Sequence, residues 1–165
     1  MGGGMPPVEG FAELQTPEDL FGKLKHDFGR VSADPTDTYA AFDFFVTADN
    51  LVDWFHPDEP GDDGKASQAR MVMRRGNALL RVSWDLACGG KHFKLSDKRH
   101  KSVENTRVHS AYFSEGYFGP RYFATKPHLV VDLSEAEAAE LGTNPIGVDD
   151  LAGQVLDYWQ KQLRP

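Results

Sequence analysis

Leu20, Phe21, Leu24, Phe28 and Val31 recur at helical spacing and predict a first helix. Thr16-Pro17-Glu18-Asp19 supplies an N-cap residue, a proline suited to a first turn and two acids near the positive helix end. Ala33-Asp34-Pro35 ends the segment, because a residue before proline is pushed out of the α region. A second helix, capped by Thr36 or Thr38, runs to about His56, where Pro57 and an acidic loop reaching Gly64 stop it. Its residues Tyr39, Phe42, Phe44, Phe45, Val46, Leu51, Val52, Trp54 and Phe55 surround nearly the whole circumference, which predicts a helix packed on more than one side. A third helix is expected from about Ser67 to Cys88, with Val72, Leu79, Val82 and Leu86 on one side and Leu80, Trp84 and Ala87 on another. Gly89-Gly90 should fray or end it.

Beyond Phe93 the period changes. Val103, Val108-His109-Ser110-Ala111-Tyr112-Phe113, Tyr122-Phe123 and Leu129-Val130-Val131 are rich in β-branched and aromatic residues, and Gly116, Gly119 and Pro120 separate two of these runs. Ser134-Glu135-Ala136-Glu137 has the form of a capping pattern ahead of a short helix ending at Gly142. Val148, Leu151, Ala152, Val155, Leu156, Trp159 and Leu163 then form an apolar stripe, with acids at its start and Lys161 and Arg164 at its end. The expected fold is mainly α: four-helix-bundle-like, with a small antiparallel β-hairpin insertion at about residues 103–133 before the C-terminal helix. Residues 1–15 are expected to be a flexible tail that begins to pack near Phe11 and Leu14, and residues 16–165 a single domain.

The chain has 165 residues, 40% hydrophobic and 12% aromatic, enough to fill one core of ordinary size. No apolar run approaches the ~20 residues of a membrane span, and Met-Gly-Gly-Gly-Met-Pro-Pro lacks the features of a signal peptide. The expectation is a soluble cytoplasmic protein. A single cysteine, Cys88, excludes an internal disulfide and a Cys-rich zinc site. The net charge of −7 is segregated. Residues 1–69 hold 14 acids and 4 bases, residues 70–109 hold 3 acids and 10 bases, and residues 110–165 hold 8 acids and 4 bases. The basic block suits a phosphate-binding face, or docking against the chain's own acidic segments or a second subunit. The acidic balance argues against broad affinity for duplex DNA.

Arg74, Arg81, Asp85 and His92 are spaced 7, 4 and 7 residues apart, which on one helix places them within about 20° of a line. An Arg to hold phosphate charge, an Asp to orient a histidine and a His to move a proton would suit phosphodiester cleavage. Arg81 and Asp85 also fit a plain helix ion pair. Asp49, Asp53 and His56 share a helical face and form a metal-ligand triplet or a solvated surface. Cys88-x-x-x-His92 reads as a buried thiol beside a histidine or as a nucleophilic pair. The segment from Lys91 to Lys101 groups Lys91, Lys94, Lys98, Arg99 and Lys101 around Phe93, a composition fit for single-stranded RNA or for a solvated loop. No Walker loop, dinucleotide glycine motif, nucleophile elbow or His-Glu-x-x-His is present, and no metal or cofactor is expected.

Ala41-Phe42-Asp43-Phe44-Phe45-Val46-Thr47-Ala48 with Asp53-Trp54, and Asp85-Leu86-Ala87-Cys88-Gly89-Gly90-Lys91-His92-Phe93, resemble a group of uncharacterised bacterial and phage-borne helical proteins. Over about residues 16–95 and the final helix, the order of elements resembles the HEPN class of helical bundles. Many of that class are dimeric RNases or partners in toxin and phage-defence systems. Its polar helix carries Arg, four to six residues, then His; here that spacing occurs between Arg121 and His128, whereas ten residues separate Arg81 from His92. The resemblance implies an RNA-directed protein, a metal-independent endoribonuclease in a stress or defence setting, working as a homodimer. Arg81 would hold phosphate, Asp85 orient His92, His92 act as acid or base, and the Lys91–Lys101 cations guide the strand. The alternatives are a non-enzymatic module that binds a protein partner, and a metal-assisted hydrolase built on Asp49, Asp53 and His56.

Overall fold

The computed structural model describes residues 10–91, 101–109 and 127–164. Among these, the chain is mainly helical: α1 (Pro17–Ala33), α2 (Thr38–Phe55), α3 (Lys65–Arg75), α4 (Ala78–Lys91), α5 (Glu135–Leu141) and α6 (Val148–Gln162). Three strands, β1 (Val103–His109), β2 (His128–Leu133) and β3 (Ile146–Gly147), form an antiparallel sheet in the order β1-β2-β3. The expected helical fold with a small sheet ahead of the last helix is present. The expected strand residues Ser110–Phe113 and Tyr122–Phe123 lie outside the described residues, as do residues 1–9 of the tail.

Local chemistry accounts for the helix ends. Thr16 Oγ1 accepts the Asp19 N–H at 3.2 Å and Asp19 Oδ2 accepts the Thr16 N–H at 3.0 Å, a closed capping box. The cap of α2 is Asp37 rather than either threonine beside it: its Oδ1 accepts the Tyr39 and Ala40 N–H groups at 2.9 and 3.0 Å. The third helix expected from Ser67 to Cys88 is two helices. The Gly76 N–H closes α3 on the Val72 carbonyl at 2.9 Å, and Asn77 opens α4 by accepting the Leu79 N–H on Oδ1 at 2.9 Å. Apolar spacing continues in phase across this break, so periodicity alone does not reveal it. At its far end α4 passes through Gly89-Gly90 to Lys91, the last described residue of this segment.

The core lies around α2. Phe44, Ala48 and Leu51 are fully buried, with α1, α4 and α6 packed against their helix. Its apolar band is narrower than its composition suggests, since Tyr39 and Phe42 are 80% and 45% exposed. From α6, the fully buried Trp159 ring meets Phe55 with centroids 5.9 Å apart. Val131 and Leu133 of β2 and Ile146 of β3 belong to the same core cluster. In the tail, Leu14 packs against this cluster, whereas Phe11 stays exposed. Strand β1 pairs with β2 from Val103↔Leu133 to His109↔His128, with Glu104 as the extra residue of a bulge.

Candidate functional site

The described site residues converge where α4, α5 and the start of β1 meet. Arg81 projects from α4 onto α5, where Nε donates to Glu137 Oε1 at 2.7 Å and Nη2 to Glu140 Oε2 at 2.5 Å. Its Nη1 donates to the Arg75 carbonyl at 2.7 Å, so the guanidinium also ties α4 to the end of α3. Glu137 is only 5% exposed and accepts two further donors, Ser102 Oγ at 3.1 Å and Ser134 Oγ. Asp85, one turn beyond Arg81, is 2% exposed and its Oδ2 accepts the Ser102 N–H at 2.7 Å. Exposed Lys101 stands beside Arg81, Ser102, Ser134 and Glu137 at an open depression of about 800 Å³.

Burial pushes the Glu137 carboxyl up, but donors from Ser134, Arg81 and Ser102 outweigh it and hold the group below its ordinary value. Burial pulls Arg81 down, and Glu137 and Glu140 more than restore it, leaving its pKa raised. The result is a charge-satisfied clamp between three elements. A phosphate at Arg81 would compete with Glu137 and Glu140 for the guanidinium charge. Of the expected catalytic set, Arg81 and Asp85 come together around Ser102 and Glu137, while His92 lies outside the described residues. So do Lys94, Lys98 and Arg99; the backbone of Lys91 belongs to α4, and its side chain is also outside.

Arg74 does not share the Arg81 ridge, because the break at Gly76-Asn77 puts it on α3. It turns instead to α2: Nε donates to Asp49 Oδ1 at 2.8 Å, and Nη2 to Asp53 Oδ2 at 3.2 Å. Arg70, one turn earlier, reaches Asp53 Oδ1 at 3.3 Å, Asp58 Oδ1 at 2.9 Å and the His56 carbonyl at 2.8 Å. Two members of the Asp49, Asp53 and His56 triplet are thus arginine acceptors that dock α3 on α2. No group of three His, Cys, Asp or Glu side chains among the described residues is placed to hold a metal ion. Cys88 is half-buried.

Sequence reasoning missed Glu137, Glu140 and Ser102 as members of this cluster. Ser134-x-x-Glu137 carried the available signal. It reads as a capping box, but Ser134 makes no side-chain cap bond, and its hydroxyl donates to Glu137 instead. Comparison with known proteins found no matching family model, no matching curated protein and no matching solved structure.

Proposed function

We propose that this protein acts as a non-enzymatic interaction module. One observation carries the reading: Arg70, Arg74, Arg81 and Arg107, all from the basic block, each bind carboxylates supplied by the same chain. These four arginines help to assemble the fold, which removes them from the pool that would hold a nucleic-acid backbone. A second reading, the HEPN-like RNA-directed one, draws on Arg81, Asp85 and Lys101 lying close together where α4 meets β1.

Labelled total RNA incubated with the wild type, Arg81→Ala and His92→Ala separates the two. The module reading expects no cleavage by any of them; cleavage by the wild type that both substitutions abolish would establish the ribonuclease instead. Light scattering after size exclusion, at low and high salt, tests association directly. A monomer at both salts with no co-purifying partner would reject the module.

A further inference from the structure

Among the described residues, β1 is the outer strand of the sheet, and the bonding of β2 shows which way its backbone points. The Leu133 N–H donates to Asn144 Oδ1 at 2.9 Å, and the Leu133 carbonyl accepts from Asn144 Nδ2 at 3.0 Å. The Leu129 N–H donates to the Pro35 carbonyl at 2.9 Å, and Val131 pairs with Ile146 of β3. Leu129, Val131 and Leu133 therefore direct their backbone groups away from β1. In an antiparallel ladder, the residues opposite such positions turn their own N–H and C=O groups to the other side. The register sets Thr106 opposite Val131 and Val108 opposite Leu129. Thr106 and Val108 thus present donors and acceptors along the open edge, and no hydrogen bond among the described residues takes them up.

Glu104 through Val108 are exposed, Val108 by 55%. Proline and lysine, which commonly protect sheet edges, are absent from Val103–His109. The charge of Arg107 is held by Asp132 of β2, with Nε to Oδ2 at 2.9 Å and Nη2 to Oδ1 at 3.0 Å.

We propose that β1 pairs antiparallel with β1 of a second copy of this chain, about a twofold axis at Thr106, joining two three-stranded sheets into one of six. The proposal rests on the module reading and names its partner. A twofold normal to the sheet pairs β1 with itself in reverse, and a register that sets Thr106 or Val108 against an outward-facing residue of the partner strand is centred on Thr106, Arg107 or Val108. Centring on Arg107 sets guanidinium against guanidinium, and centring on Val108 carries the ladder beyond His109. Centring on Thr106 places threonine opposite threonine, Asn105 opposite the partner's Arg107 and the bulge residue Glu104 opposite the partner's Val108, with no like charges directly paired.

The outward N–H of Thr106 makes the test selective. Thr106→Pro removes that donor and leaves the β1–β2 bonds intact, as proline is tolerated on an edge strand whose N–H faces outward. In light scattering across a wide concentration range, the wild type should approach twice the 18.4 kDa chain mass, and Thr106→Pro should stay at one chain mass with unchanged circular dichroism. As a second readout independent of proline strain, Thr106→Cys in a Cys88→Ser background should form a disulfide-linked dimer on mild oxidation, because hydrogen-bonded antiparallel partners have Cα atoms about 5.5 Å apart. Asn105→Cys in that background should not crosslink to itself. A dimer that survives Thr106→Pro and does not crosslink through position 106 overturns β1 pairing and leaves the module reading standing. A wild type that stays monomeric but binds a different protein has the same meaning, and a monomer that binds nothing overturns both.

Discussion

Replacing Glu137 by alanine removes the acceptor shared by Arg81, Ser102 and Ser134. Breaking a buried ion pair from one side costs about 3–5 kcal/mol, because the remaining charge loses its compensation. Arg81 is about a quarter exposed and keeps Glu140 and the Arg75 carbonyl, so the expected loss falls to about 2–3 kcal/mol. In a chain of this size that corresponds to a fall of roughly 5–10 °C in Tm. Urea unfolding followed by tryptophan fluorescence and far-UV circular dichroism gives the free-energy difference. Glu140→Ala is the comparison: its side chain is 50% exposed, and its loss should cost about 1 kcal/mol although it also accepts the Ala78 N–H. Glu137→Ala within about 0.5 kcal/mol of wild type, or no worse than Glu140→Ala, would refute the clamp, since substitutions away from such features usually fall in that range.

The same residue sets a pH dependence. Glu137 is held below its ordinary value of 4.5 in the folded chain, so its carboxylate stabilises the fold above pH 4.5. That contribution is lost as the pH falls from there through the folded value. The stability gap between wild type and Glu137→Gln should therefore be full at neutral pH and shrink on acidification below about 4.5; a gap that widens there would contradict the assignment.

Arg74→Met should cost about 2–3 kcal/mol in the same unfolding assay, because it removes a largely buried partner of Asp49, itself 14% exposed. Asp53→Asn, at a side chain 48% exposed, should cost less than about 1 kcal/mol. Asn77→Ala should lower stability by about 1 kcal/mol and speed hydrogen exchange at Leu79, whose amide bonds the Asn77 side chain; unchanged exchange there would show that Asn77 does not hold the start of α4.

Short-range chemistry made much of the helical framework legible. Thr16 with Asp19, Pro35, Pro57 and Gly142 act within a few residues of themselves, and α1, α5 and α6 fall where these signals place them. Gly142 closes α5 at φ 73°, a conformation glycine enters without penalty. The break at Gly76-Asn77 escaped because one cap residue outweighs a periodicity that runs on unbroken. Strand β3 escaped because two residues are too few to carry an alternation.

The sequence by itself determined which segments coil, which residues are apolar enough to bury, and that the cations cluster in its middle. Only the tertiary structure decided what four of those cations do. Arg70, Arg74, Arg81 and Arg107 meet carboxylates between 12 and 59 residues away along the chain. Residue spacing describes one helix face at a time, whereas an ion pair between elements depends on how those elements pack. That is why Arg81 reads in the sequence as a phosphate ligand or a helix partner of Asp85, and is the centre of a clamp to α5 in the fold.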